Sequence, residues 1–434
     1  MEILSLGEKI KRKRKELNMT LKDLAAERIT PGQISLVESG KSNPSMDLLE
    51  YLAASLNTSV EYLMESEESQ AEKICEYYEN IAQSYIFNGD YIQGENYAEQ
   101  ALYYAENYNL EYRKAKNFYL RGVIYMEKKE LALAQQFFLS ANTIFIKNNN
   151  YEDVVSTFIK LGIITLGLNA YHSSNSYFQQ AEKVFSDNDI GDEFILAQIY
   201  YYISYTNFKL DNIDKAISYS FLSKEKFKQI DEKKEYANSV LLISEEYSKS
   251  GNIDNAIKYS KKALNLFREL NDIDTVSDIE NSLGMLFYEF GNFEESFIHL
   301  NKAKEIRKNN NENKLFETLT GICENHIKLK DIDSARKILD EMNSILNSCS
   351  QTYIVNYYLL KCRVEMLEGQ LNEAESTLLE VLGYVKSVKM KKEEAEIDVL
   401  LGKFYMDSSK KDEAVKYLNL GVDILKDIGI IKNL

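Results

Sequence analysis

The side chains that most often carry proton-transfer, nucleophilic or metal chemistry are few here and badly spaced for it. The histidines His172, His299 and His326 lie far apart, and the cysteines Cys75, Cys323, Cys349 and Cys362 form no CxxC pair and share no ligand register with a histidine. No Gly-rich phosphate loop, GxSxG or HExxH occurs. The sequence therefore predicts no enzyme, no metal site and no cofactor. What remains is the chemistry of recognition. Lys9, Lys11, Arg12, Lys13, Arg14 and Lys15 crowd one short run, where they either meet phosphates or form the solvated face of a helix. Elsewhere the chain is rich in asparagine and tyrosine. An Asn amide offers a donor and an acceptor together, which suits it to holding an extended peptide backbone whatever the peptide's sequence. Tyrosine adds apolar area with a polar tip, and an arginine fork can take a carboxylate.

The elements that position these groups are helices. Only two prolines occur, Pro31 and Pro44, so almost the whole chain is free of helix breakers. Gly251-Asn-Ile-Asp-Asn-Ala256 recurs as Gly291-Asn-Phe-Glu-Glu-Ser296 and as Gly369-Gln-Leu-Asn-Glu-Ala374. Looser copies end at Gly94, Ala134, Ser174, Ala216, Ala335 and Ala414, which makes nine copies spaced 39 to 42 residues apart. A fixed period of this length marks stacked repeats, each burying its apolar face only against its neighbours. Twelve residues before the end of each hexamer stands another small residue, such as Gly122, Gly162, Ser244, Gly284 or Gly402, with a larger one three further on (Tyr125, Thr165, Tyr247, Phe287, Tyr405). Small residues at these places let two antiparallel helices approach closely, with the aromatic expected to wedge against the next pair.

The first 64 residues stand outside the period. Helix starts are signalled by Thr20, Thr30, Ser45 and Ser59, and a first helix spans about Ser5 to Leu17. Thr30 with Gln33 reads as a capping box, and Pro31 suits the first helical position. This segment holds nine Lys/Arg and nine Asp/Glu, so the remainder carries 43 basic against 59 acidic residues and should repel a phosphate backbone. Its order of elements resembles the XRE/lambda-repressor-like helix-turn-helix family. The residues that carry the resemblance are Leu21, Leu24 and Ala25, then Ile34-Ser-Leu-Val-Glu-Ser-Gly40, then Asn43-Pro-Ser45. The resemblance implies that the third helix enters the major groove of double-stranded DNA, while the start of the second helix and the loop after the third touch phosphates. The matching residues are Thr20, Lys22, Thr30, Gly32, Gln33, Ser35, Leu36, Lys41, Ser42 and Asn43. One departure stands out. Pro31, Gly32 and Leu36 occupy places where the family commonly has long polar side chains, and none of them can make a bidentate base contact. Specificity then rests on Gln33, close backbone approach at Gly32, contact of Leu36 with a thymine methyl, and DNA shape.

The repeats resemble tetratricopeptide repeats, although the spacing exceeds the usual 34 residues and the closing proline is missing. The resemblance implies a concave groove lined by the first helix of each repeat. Reading the offsets between the buried positions gives Gln198, Tyr201 and Tyr205 in the fourth repeat, Asn238 and Glu245 in the fifth, Asn281 and Tyr288 in the sixth, and Asn356 and Arg363 in the eighth. The expected organisation is all-α: a five-helix lambda-repressor-like domain over 1–64, a polar linker over 65–70, and a right-handed superhelix of about nine helix pairs over 71–434.

Together the two parts resemble the peptide-pheromone receptors of Gram-positive bacteria, the RRNPP superfamily, and in repeat number its NprR type more than its shorter PlcR type. That resemblance implies a cytoplasmic quorum-sensing transcription regulator, a homodimer on a palindromic operator, whose groove takes a short signalling peptide. The alternative is a groove that holds a signalling protein, such as a response regulator, instead of or as well as a peptide. The opening Met-Glu-Ile-Leu-Ser has no basic segment leading into an apolar one, and the most apolar run, Leu161 to Leu168, is too short to span a bilayer, so no secretion signal and no membrane association are expected.

Overall fold

The computed structural model describes residues 2–308 and 312–430, which form helices and connecting turns only. It divides into two compact units, Met1–Tyr219 and Ser220–Leu434. The first unit opens with five short helices: α1 (Leu6–Glu16), α2 (Leu21–Ala25), α3 (Pro31–Glu38), α4 (Met46–Ser55) and α5 (Val60–Met64). Helix pairs follow, as α6 (Glu67–Phe87) with α7 (Tyr91–Asn107), α8 (Glu111–Glu127) with α9 (Leu131–Lys147), and α10 (Tyr151–Gly167) with α11 (Tyr171–Asp187). Then come α12 (Glu193–Lys209) and α13 (Ile213–Gln229), the latter running across the division between the units. The second unit continues with α14 (Lys233–Lys249) and α15 (Ile253–Glu269), α16 (Ile273–Glu289) and α17 (Phe293–Arg307), α18 (Glu312–Lys328) and α19 (Ile332–Ile345). It ends with α20 (Gln351–Leu367) and α21 (Leu371–Ser387), then α22 (Lys391–Asp407) and α23 (Lys411–Asp427).

The forty-residue period has a local cause. Most of the repeat helices are 17 residues long and are joined by three residues, as in α10 and α11 around residues 168–170. The middle residue of each such joint takes the left-handed conformation, as Asn149 (φ 56°), Asn169 (φ 57°) and Gly251 (φ 76°) do. The next N–H then reaches back to a carbonyl five residues earlier, Asn150 to Phe145 and Asn252 to Tyr247 at 2.9 Å. This Schellman cap satisfies the last carbonyls and stops the helix without a proline, so the chain can omit the residue that usually closes such units. Two helices of 17 and two joints of three make the period.

Within a pair, the recurring small residues do bring the backbones together. A Cβ on Gly162 would lie 2.5 Å from the Phe178 ring, and one on Gly284 would lie 2.5 Å from Leu300. Where serine stands instead, its hydroxyl donates to the carbonyl twelve residues away: Ser204 to Ala216 at 2.9 Å, Ser244 to Ala256 at 3.0 Å. The aromatics behave differently from expectation. Tyr125 stacks on Phe137 (5.4 Å, 5°), Tyr247 on Tyr259 (5.7 Å, 18°) and Tyr405 on Tyr417 (5.5 Å, 25°), each in the second helix of its own repeat. Two of the hydroxyls turn back to the preceding pair, Tyr125 donating to Glu95 at 2.6 Å and Tyr405 to Glu375 at 2.8 Å. The expected wedge against the next pair is replaced because a polar tip seeks the carboxylate within reach.

One buried acid has no such partner. Asp398 on α22 is 1% exposed, and neither of its carboxylate oxygens is hydrogen-bonded. The same place in the seventh repeat holds Leu319, fully buried. Burial raises the Asp398 carboxyl above its ordinary value, against the pull of Lys386. Its cost is therefore absent below the unfolded-state pKa of about 3.9, grows as pH rises through the raised folded value, and is constant above it. Asp398→Leu should stabilise the chain by about 1–3 kcal/mol at pH 7 and by nearly nothing through this effect at pH 3. Urea unfolding at the two pH values checks this, and an equal gain at both would contradict it.

Candidate functional site

The N-terminal domain is closed around Ile10, Leu24, Ile34, Leu52 and Leu63, all fully buried. Thr20 and Thr30 cap α2 and α3, each in a reciprocal box with Asp23 or Gln33, and Ser59 caps α5. Ser45 occupies the N-cap position of α4 without a side-chain bond, and a further box, Ser5 with Glu8, starts α1. The placement of α3 is set from both sides. Ile34 and Val37 point inward, and Gly7 on α1 lies so close that a Cβ there would meet the carbonyl oxygens of Val37 and Glu38 at 2.5 Å. Arg14 forks onto Glu38 with bonds of 2.6 and 2.9 Å and also donates to the Met19 carbonyl. With its inner face fixed, α3 turns Gly32, Gln33, Ser35 and Leu36 to solvent, Leu36 being 46% exposed. Thr20, Lys22, Thr30, Lys41, Ser42 and Asn43 are exposed as well.

Two details refine the expectations. The Gln33 Oε1 accepts from Thr30 N at 3.0 Å and Thr30 Oγ1 at 3.3 Å. With its oxygen committed to the cap, the amide is left as a donor, which suits an acceptor edge such as guanine N7/O6 or thymine O4 rather than bidentate pairing with adenine. The basic run on α1 is largely used within the fold. Lys9 is 1% exposed and donates to the carbonyls of Tyr62 (2.8 Å) and Glu65 (2.7 Å), Arg14 is bound to Glu38, and Arg12 and Lys13 pair with Glu16. Lys11 and Lys15 remain exposed without an ion pair among the described residues.

The joint to the repeats is tight. Ser66 caps α6, so residues 67–70 of the expected polar linker are helical. The Gln70 amide bonds both the N–H (3.1 Å) and the C=O (2.9 Å) of Leu4, and Glu65 receives Lys73 at 2.7 Å besides Lys9.

In the first unit Gln198, Tyr201 and Tyr205 are half-buried on α12, with the two tyrosine rings 6.5 Å apart and nearly parallel. In the second unit Asn238 is half-buried and Glu245 exposed on α14. On α16, Asn281 Oδ1 accepts from Thr318 at 2.9 Å, so part of its amide is already engaged. Tyr288 is pushed above its ordinary pKa by burial and by the negative charge of Glu324, which also holds Arg363 at 3.2 Å. Asn356 and Arg363 border one cavity of about 710 Å³ framed by α18, α20, α21 and α22. Its apolar wall is Leu359, Leu360, Met366, Leu378, Leu400 and Phe404, and Glu324, Lys403 and Asp407 complete its polar edge. Glu324, Leu359, Met366 and Lys403 went unread in the sequence, although they stand at the offsets used for the other repeats. Applying those offsets to the seventh and ninth repeats would have found Glu324 and Lys403, and applying all of them to the eighth would have found Leu359 and Met366.

Sequence profiles agree with this division. A helix-turn-helix profile matches residues 10–63, and tetratricopeptide-repeat profiles match residues 76–108 and 236–309. No curated protein sequence matches the chain. Among solved structures, apo RapI aligns with a TM-score of 0.63 at 14% identity, over 83% of this chain and 99% of that one. The apo quorum sensor NprR from B. thuringiensis aligns with 0.56 at 14% identity, over 83% and 100%. A signal-transduction ATPase with a tetratricopeptide repeat sensor, from Pyrococcus horikoshii, aligns with 0.55 at 12% identity, over 98% and 74%. At such identities the likeness is one of fold.

Proposed function

We propose that this chain, whose helix-turn-helix and tetratricopeptide repeats fit the RRNPP family, is a DNA-binding regulator that answers to a short signalling peptide. The observation that carries the reading is the two-sided character of α3. Its inner face is fixed by Ile34, Val37 and the Arg14–Glu38 fork, while its outer face offers Gln33, Ser35 and Leu36. The exposed Lys22, Lys41, Ser42 and Asn43 supply phosphate contacts that set the register, and the α3 face reads base edges. The acidic repeats do not bind DNA; their half-buried Asn, Tyr and Arg side chains hold the peptide.

The joint explains how one part could answer the other. Lys9, Glu65 and Gln70 tie the reader to the first turn of α6, so a shift in the early repeats is carried to α3 rather than absorbed by a tether. In a homodimer, half-sites lie about one helical turn or a multiple apart, and a small change in the separation of two readers takes them out of register. The setting is the cytoplasm; no helix among the described residues is long and apolar enough to cross a membrane.

Genome-wide capture of DNA by the tagged full-length chain tests the reading. A palindromic site near a gene for a short exported peptide is the expected result. Absence of enriched DNA, with and without an extract containing exported peptides, would overturn it.

A further inference from the structure

Resting on the peptide reading above, we infer that the cavity between α18, α20, α21 and α22 seats the C-terminal residue of the peptide, with a bulky apolar side chain inside and its carboxylate on Arg363 and Lys403. At about 710 Å³ the cavity falls among the sites, about 300–1,000 Å³, that bury most of a small ligand. Leu360, Leu378 and Phe404 floor it as ordinary core residues, between 3% and 7% exposed. Met366, Leu371 and Leu400, by contrast, leave 41%, 51% and 41% of their surface open on its walls. Such a lining favours an aliphatic or aromatic side chain, and Met366 can reshape to fit it.

The charges choose the rest of the ligand. Arg363 spends one guanidinium nitrogen, Nη1, on Glu324 at 3.2 Å, and Lys403 makes no ion pair among the described residues. Two cations beside an apolar chamber call for an anion attached close to an apolar side chain. In an extended chain neighbouring side chains point to opposite faces, so an internal Asp or Glu beside a Leu would aim its carboxylate away from the chamber. A C-terminal residue carries both groups on one Cα. Asn356, on the same border, is placed to bond the last peptide unit. Glu324 and Asp407 disfavour a second negative charge nearby, which excludes a strongly acidic tail.

The test uses the full chain and three synthetic heptapeptide pools, randomised at the first six positions and ending in Leu as the free acid, Leu as the amide, or Ser as the free acid. Peptides retained on the protein are counted by mass spectrometry. The Leu acid pool should be retained about tenfold or more above either other pool, since a charge-assisted bidentate bond and an apolar anchor are each lost in one of them. Arg363→Met, which keeps the bulk of the side chain, should reduce the preference for acid over amide to what Lys403 alone supplies, while leaving the melting temperature near that of the parent. Equal retention of acid and amide, or an unchanged preference in Arg363→Met, would overturn the assignment and leave peptide binding standing. No retention from any pool would remove the peptide reading and this inference together. A change of sedimentation on Leu359→Asp, without loss of peptide, would give the cavity to a second copy of the chain and overturn the inference.

Discussion

Leu36→Glu is expected to reduce specific DNA affinity by about a hundredfold or more, roughly 3 kcal/mol, with no measurable change in stability. Leu36 stands on the outer face of α3, 46% exposed, one turn from Gly32 and beside Ser35. A carboxylate there loses any contact with a thymine methyl and points a negative charge at the DNA. The stability term is small because nothing in the core depends on this side chain; Ile34 and Val37 carry the burial of α3. The comparison that gives the result meaning is Ile34→Glu, which places a charge in the closed core and should unfold the domain. Titration of labelled operator, paired with thermal unfolding of both variants, separates the two. Operator affinity kept within threefold in Leu36→Glu would remove α3 from the interface.

Arg307→Met should destabilise the second unit by about 2–4 kcal/mol, the largest stability loss expected for an uncharging substitution here. Arg307 ends α17 and is 4% exposed, yet every nitrogen of its fork is used. Nε donates to Ser277 (3.3 Å), Nη1 to Thr318 (2.8 Å) and to the Lys314 carbonyl (3.0 Å), and Nη2 to Asp278 (2.6 Å). One side chain thereby ties α16 to α18 across the end of α17. Its loss removes four bonds at once, but Thr318 keeps Asn281, Ser277 keeps the Asp274 carbonyl and Asp278 keeps Lys314 at 2.7 Å, which holds the penalty below that of a wholly orphaned buried charge. Because Thr318 is also the donor to Asn281, the same substitution should weaken peptide binding. Lys314→Met is the control, since Lys314 is more than a third exposed and its removal should cost under about 1 kcal/mol. Urea denaturation followed by circular dichroism measures both, and a similar small loss in each would contradict the account.

What the sequence disclosed and what it hid follow from range. Thr20, Thr30 and Ser59 were legible because a cap acts within three residues, and the helix pairs were legible because Gly162, Gly284 and their serine equivalents recur at a fixed distance. The αL joints explain a period the sequence showed without accounting for it. Hidden were interactions that join distant parts of the chain. Lys9 read as one cation among six in a basic run, and only the fold shows it spent on carbonyls 53 and 56 residues away. Arg307 and Asp278 carry no local pattern that marks them as an ion pair. The aromatics were seen, but the direction of their hydroxyls depends on carboxylates such as Glu95, 30 residues earlier, which no single-repeat pattern includes. Of the candidate groove residues, Asn356 and Arg363 come together at one cavity, the Glu324 charge acts on both Tyr288 and Arg363, and Gln198, Tyr201 and Tyr205 share one helix in the other unit.

The central claim is that the repeats and the reader share one switch. The direct measurement is the affinity of the full-length chain for its captured operator, by fluorescence anisotropy, with and without a saturating peptide selected on the same protein. A change of about 5–150-fold, the range of about 1–3 kcal/mol of coupling, is the predicted result, with Gln70→Ala, which cuts the tie to Leu4, reducing it. Equal affinity in the two states would contradict the account.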